Sequence, residues 1–142
     1  MFDAEQPSFQ LLRNIYAEQT KKIVVWAGAG LSAPASLPFW AQLKSELHAA
    51  AVSKWRSLDD SRKKTAVLKR LDDIARSSDF WQDFSDLREI IGLTTFTELT
   101  RSKLTPRPGI PTPAIYQALW RMHIGGMLTL NIDRLAHKAF TE

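Results

Sequence analysis

Two short apolar runs constrain the fold of this chain more than any other feature of its sequence. The first, "KIVVWA", ends at Ala27, and the second opens "MLTLNIDRLAHKAF". A short apolar run rich in β-branched residues, like the first, is typical of a strand buried on both faces of a parallel sheet. Helical patterns lie between the two runs, and parallel neighbours need such a crossover. The sequence therefore predicts an α/β protein.

The remaining pattern predicts helices. Phe9, Leu12 and Ile15 recur at helical spacing after Ser8, a candidate N-cap. Further helices are expected over residues 39–53 and within 57–104, where Asp79 suits an N-cap and Gly92 a stop. Pro113 suits the start of another helix, which we expect Gly125 and Gly126 to end.

These elements suggest one domain over residues 1–142. It comprises a leading helix (1–20), the first strand with its glycine loop and helix (21–56), a helical insertion (57–105), and a connector, helix and second strand (106–142). Two candidate strands are few for a parallel sheet. We therefore expect the N-terminal half of a larger α/β domain.

Composition excludes several classes of protein. The 142 residues include no cysteine, so disulfides and thiolate metal sites are excluded and a cytoplasmic location is expected. No apolar run is long enough to span a membrane, and we expect no metal site. The net charge of +4 is a mild excess. Its densest patch, Arg62 to Arg70, is expected to be a solvated helix face, not a nucleic-acid interface.

The sequence "GAGLS" follows the first predicted strand. Gly28 and Gly30 have no side chain, so a ligand could lie directly on the backbone, and a helix opening there would favour a phosphate. Ser32 could cap that turn or donate to a phosphate oxygen. Ala33 stands where the dinucleotide fingerprint has a third glycine, and the Walker Lys-Ser/Thr pair is missing. A ligand cradle and a tight turn both remain open.

Asn131 and Asp133 follow the second predicted strand. Ligands of open α/β sheets bind outside the carboxyl ends of the strands, where "GAGLS" and "NID" must both fall if the strands are parallel neighbours. Asn131 offers a donor and an acceptor, and Asp133 accepts from hydroxyls. The alternative is that both residues merely cap the next helix.

These motifs resemble those of the sirtuin family. "GAGLSAPASLPFW" is similar to the family's GAGxSxxxGIPxF, and "LTLNIDRLAH" is similar to TQNIDxLH. "FTELTRSKL" and "PTPAIYQALWRMHIGGML" resemble the segments between them. The two motifs stand in the family's order, and the resemblance covers about residues 21–140.

The resemblance implies a Rossmann-like three-layer sandwich that binds NAD. Ala27, Gly28, Ala29 and Gly30 would line the pyrophosphate and nearby ribose, and Ser32 would help to hold the phosphates. Pro38 and Trp40 would lie on the loop over the nicotinamide end. Asn131, the candidate catalytic residue, would contact the nicotinamide ribose and position a water, and Asp133 would recognise the carboxamide. The implied reaction breaks the nicotinamide–ribose bond through an oxocarbenium-like transition state.

Several residues depart from the family pattern, and these departures favour NAD hydrolysis over deacetylation. Ser36 replaces a family glycine, Phe39, Trp40 and Ala41 replace a deacetylase triplet, and Leu130 and Ala136 replace a glutamine and a histidine. "LPFWAQL" is closer to the sirtuin-like NAD-hydrolysing domains of bacterial antiphage defence, and the absence of cysteine fits that branch. The family's general-base histidine would lie beyond the second motif. We therefore predict NAD+ glycohydrolysis as the parent activity and an inactive chain when isolated.

Two alternatives remain. One is an NAD-dependent protein deacylase. The other is a non-catalytic interaction module, a homo-oligomer or a subunit whose sheet a partner chain completes. In every case NAD+ is the expected ligand where one binds, and neither membrane nor nucleic acid is an expected partner.

Overall fold

A computed structural model describes residues 3–18, 23–58 and 62–141. Of these residues, 67% lie in helices, counting two short 3-10 turns. The elements run in the order α1 (Pro7–Glu18), β1 (Ile23–Ala27), the 3-10 turns (Ala29–Leu31 and Ala33–Ala35), α2 (Trp40–Arg56), α3 (Arg62–Arg76), α4 (Phe80–Ile91), α5 (Leu93–Leu104), α6 (Ala114–Arg121), β2 (Ile124–Thr129) and α7 (Leu135–Thr141).

The two strands form a parallel pair. Trp26 lies opposite Leu128 and Ala27 opposite Thr129. The predicted α/β class and both predicted strands are thus confirmed. Within the described part of the chain the sheet has two strands. The three-layer sandwich that the resemblance implies is therefore not confirmed. One face remains open, because Val24, Trp26 and Leu128 are each more than half exposed.

The chain packs as two compact units. One comprises the described parts of Met1–Ala35 and Pro111–Glu142, and it contains the sheet with α1, α6 and α7. In it Trp120 Nε1 on α6 donates to the Ala136 carbonyl on α7 at 2.9 Å. The other unit, Ser36–Ile110, contains α2 to α5.

The helical unit has a core built by the apolar faces of α2, α3 and α4. Leu43, Leu47, Leu71 and Leu87 are almost wholly buried in it. Asp79 caps α4 by accepting from the Gln82 N–H at 3.1 Å, as predicted.

Two further features stabilise this helical unit. Gly92 ends α4, as predicted, at φ 91°, a left-handed conformation that favours glycine. Lys44 is buried, and its Nζ donates to Asp83 Oδ2 at 2.7 Å and to the Ser77 carbonyl at 2.6 Å. A buried lysine needs such partners because an unpaired charge is costly to bury.

Two local predictions were wrong. Ser8 lies inside α1, which begins one residue earlier at Pro7. Gly125 and Gly126 do not end α6, which stops at Arg121; they lie in β2, where Gly126 pairs with Val24. The helix predicted over residues 39–53 corresponds to α2, and two 3-10 turns lie between the first strand and this helix.

Two cations of the basic patch contact groups of their own unit. Arg70 contacts Asp86 and Glu89 at 2.8 Å each, and Lys64 Nζ donates to the Arg56 and Leu58 carbonyls. The expectation of no nucleic-acid interface stays a prediction. Across the described ranges, each helix is too short or too polar to cross a bilayer.

Candidate functional site

The parallel register brings the two sequence motifs together at one edge of the sheet. Ala27 is the last residue of β1 and lies opposite Thr129, the last residue of β2. The glycine loop leaves the first strand and "NID" leaves the second, so both begin at the carboxyl edge where α/β proteins bind ligands. The predicted meeting of the two motifs therefore occurs within one unit.

The glycine loop has no structural need for its glycines. Gly28 is extended, with φ −114° and ψ 178°, a conformation open to every residue. A Cβ atom added to Gly28 or to Gly30 would meet no other atom within 4 Å. The chain does turn tightly here, with the Leu31 and Ser32 N–H groups donating to the Gly28 and Ala29 carbonyls at 3.1 and 3.0 Å, but neither backbone strain nor packing requires a glycine at these two positions. The same open space surrounds Gly126 in β2, so it permits a ligand at the loop without excluding the tight-turn alternative.

Ser32 lies at the centre of a hydrogen-bonded cluster under this loop. Its side chain is buried, with 2% of the residue exposed. The Ser32 hydroxyl donates to Asp133 Oδ2 at 2.8 Å and lies 2.8 Å from the Tyr116 hydroxyl. Tyr116 comes from the first turn of α6 and is fully buried. The cluster therefore ties the loop, α6 and the segment after β2 to one another.

Asn131 joins the cluster to the loop. Its side-chain Nδ2 donates to the Gly28 carbonyl at 3.2 Å and to Ser32 Oγ at 3.1 Å, with Tyr116 Oη at 3.4 Å. The Asn131 backbone N–H donates to Thr129 Oγ1 at 2.9 Å. Asn131 does not cap α7. It is half-buried, so it is held from beneath while part of it faces solvent.

Asp133 has two structural partners. Its Oδ2 accepts from Ser32, and its Oδ1 accepts from the Leu135 N–H at 3.0 Å, at the start of α7. The capping alternative is therefore correct for one oxygen of Asp133, and the other oxygen belongs to the cluster. Its predicted role in recognising a carboxamide stays a prediction.

The other predicted site residues fall in two places. Ala27 is buried at the end of β1, and Ala29 and Gly30 form part of the first 3-10 turn. Pro38 and Trp40 belong to the helical unit, where Trp40 opens α2 and its ring lies edge-on to Phe84 at 5.6 Å. Their predicted place over a nicotinamide stays a prediction.

Ser36 has a left-handed backbone. It is the one residue other than glycine with a positive φ in the described ranges, at 59°. This conformation disfavours side chains with a Cβ and favours glycine.

Tyr116 is the member of the cluster that the sequence analysis did not assign. It lies in "PTPAIYQALW", a segment that already resembled the family, in the first turn of a helix whose start was predicted. A buried tyrosine needs a hydrogen-bond partner for its hydroxyl, and this requirement is the property of Tyr116 from which a polar contact could have been predicted.

The three histidines of the sequence lie elsewhere. The ring of His48, a half-buried residue of α2, is 2.9 Å from the Leu71 carbonyl. His123 contacts Tyr16, and His137 is exposed on α7. No group of three metal-ligating side chains gathers in the ranges that the structure covers. The cluster therefore holds no histidine that could act as a general base.

The described residues define a small α/β unit with a polar cluster at the carboxyl edge of two parallel strands. No family model, curated protein or solved structure matches the chain. A functional assignment must therefore rest on the motifs and on the geometry of this site.

Proposed function

We propose that this chain binds NAD+ at the carboxyl edge of β1 and β2. The observation that carries the proposal is the contact between the motifs. Asn131 Nδ2 donates to the Gly28 carbonyl, 103 positions earlier in the sequence, beside glycines whose open space nothing in the described chain fills. A dinucleotide needs both features, a bare backbone for its pyrophosphate and a fixed polar group for its ribose.

The parent activity that we propose is hydrolysis of the nicotinamide–ribose bond. Breaking this bond puts positive charge on the ribose, so the protein must orient the sugar and control water more than it must supply a strong nucleophile. Asn131 is the residue at this edge with a fixed, half-exposed amide, and we assign it the orienting role. We further propose that the two strands belong to a Rossmann-like sheet of the sirtuin type.

This chain should bind NAD+ without accelerating its hydrolysis. A general base contributes typically 10²- to 10⁴-fold to such a reaction. No histidine contacts the cluster, and both oxygens of Asp133 are already hydrogen-bonded. We therefore expect the chain to bind NAD+ and to release nicotinamide no faster than buffer does.

The test is a calorimetric titration of NAD+ into the wild type and into Asn131→Ala. Loss of two or three hydrogen bonds from the ordered loop should raise the dissociation constant about tenfold or more. The matched control is Asn14→Ala, because Asn14 is the only other asparagine of the sequence and is exposed on α1. Asn14→Ala should bind as the wild type does. A wild type that binds no NAD+ at millimolar concentration, or equal affinity in Asn131→Ala, would contradict the proposal.

A further inference from the structure

The cluster consists of Gly28, Ser32, Tyr116, Asn131 and Asp133. Two of these residues determine which atom donates in each hydrogen bond. The Asp133 carboxylate and the Gly28 carbonyl can only accept. Ser32 has one proton, and it must go to Asp133 Oδ2 at 2.8 Å. The Tyr116 hydroxyl, 2.8 Å from Ser32 Oγ, must then donate to Ser32. The chain of donation runs from Tyr116 through Ser32 to Asp133.

The same reasoning fixes the side-chain amide of Asn131. The Gly28 carbonyl already accepts from the Leu31 N–H at 3.1 Å and can only accept, so the Asn131 atom that lies 3.2 Å from it must be the donor Nδ2. Ser32 accepts through two lone pairs, and because Tyr116 fills one, the other receives the second Asn131 N–H at 3.1 Å. Asn131 Oδ1 therefore points away from these partners. Among the described residues nothing donates to that oxygen, whereas every proton of the cluster is already used.

We propose that Tyr116 is a positioning residue. Asp133 and the Gly28 carbonyl determine which atoms donate and which accept, and the Tyr116 hydroxyl, which donates to Ser32 Oγ and lies 3.4 Å from Asn131 Nδ2, holds the Asn131 amide in that orientation. Asn131 Oδ1 then receives only a ligand group that donates a hydrogen bond. A ribose hydroxyl is such a group, and a phosphate oxygen is not. Ser32, buried and with its proton on Asp133, then supports Asn131 and does not donate to phosphate. The ligand part of this inference rests on the proposed function, while the polarity itself is a property of the free protein.

The first test uses the protein without ligand. NMR of the two asparagine side-chain amides should show Asn131 protons exchanging with solvent at least tenfold more slowly than those of Asn14, which is exposed on α1. Tyr116→Phe removes the oxygen that lies 3.4 Å from Asn131 Nδ2 and the donor that holds Ser32 Oγ, so the Asn131 signals should shift and exchange faster. Tyr16→Phe is the matched control, since Tyr16 is the only other tyrosine and its hydroxyl faces His123 at 3.5 Å. That variant should leave the Asn131 signals unchanged.

The second test uses two NAD+ analogues, each with fluorine in place of one nicotinamide-ribose hydroxyl. Fluorine keeps the size of the group and removes its proton. One of the analogues should bind the wild type about tenfold more weakly than NAD+, which is the size of one good hydrogen bond. This ratio should fall to about threefold or less in Tyr116→Phe and stay at about tenfold in Tyr16→Phe. A purely structural role for Tyr116 would weaken NAD+ and the analogues equally.

The outcomes separate the inference from the proposed function. Protected Asn131 protons without any NAD+ binding would support the polarity and reject NAD+ as the ligand. Asn131 protons that exchange like those of Asn14 would overturn the polarity, whatever NAD+ does. If Tyr116→Phe fails to fold, the wild type alone decides, because analogues that both bind as tightly as NAD+ would also overturn the inference.

Discussion

Replacing Gly28 by alanine should separate the stability of this protein from its binding of NAD+. At φ −114° and ψ 178°, alanine can adopt the backbone of Gly28 without strain, and its Cβ would meet nothing within 4 Å. Because alanine also restricts the unfolded chain, the free energy of unfolding should stay equal or rise by about 0.4–1 kcal/mol. The same methyl group would occupy the space over the loop. Affinity for NAD+ should therefore fall at least tenfold, or about 1.4 kcal/mol.

The assay combines chemical denaturation with the NAD+ titration in the same buffer. Gly126→Ala is the control, because Gly126 lies in β2 and its added Cβ also meets nothing within 4 Å. This control should keep its affinity, and by the same argument its free energy of unfolding should stay equal or rise. The reasoning is refuted if Gly28→Ala is destabilised by 1 kcal/mol or more, since glycine would then serve the turn. It is equally refuted if Gly28→Ala binds NAD+ as tightly as the wild type.

Two predictions concern the helical unit. Ser36→Gly should raise the free energy of unfolding by about 0.5–1 kcal/mol in denaturant titrations, because φ is 59° at that residue. The hydrogen bond from Arg70 holds the pKa of Asp86 below its usual value. A depressed folded-state pKa gives stability that is present above about pH 4 and is lost as the pH falls through the lowered value. Arg70→Gln should thus be less stable at pH 7, and its melting temperature should fall less steeply below pH 4.

Each of these two predictions has its own contrary result. Ser53→Gly, at an exposed position within α2, should lose about 0.5 kcal/mol. A loss of the same size in Ser36→Gly would show that the left-handed backbone is not strained. For Arg70, the melting temperature is plotted against pH from pH 7 to pH 2 for wild type and variant. Parallel plots would mean that the ion pair with Asp86 contributes nothing to the loss of stability in acid.

The sequence predicted the parts of the fold that depend on local chemistry. The β-branched residues before Ala27 made β1 recognisable, and Asp79 and Gly92 marked the ends of α4 correctly. The contact of Asn131 with Gly28 was also predictable, although 103 positions separate them. Parallel strands end at the same edge of a sheet, so topology alone brings those residues together.

Features that depend on tertiary packing were missed. Gly125 and Gly126 obey a local rule for ending helices, but pairing with β1 at Val24 places Gly126 in a strand. The contact of Tyr116 with Ser32, 84 positions apart, depends on how α6 packs beneath the loop, and no periodicity encodes that. From the sequence, Ser32 was a candidate to cap the turn or to donate to a phosphate oxygen, and the phosphate role stays a prediction. The burial of Ser32, which no local pattern shows, turns it towards Asp133.

The most direct test of the central claim is an NMR titration of NAD+ into the isotopically labelled chain. The account predicts saturable shifts of the backbone amides of residues 28–32 and 131–133 and of the Asn131 side chain. Residues of α3, which carry the basic patch, should not move. The claim would be contradicted if the glycine loop did not respond at millimolar NAD+, or if the shifts followed the basic side chains instead.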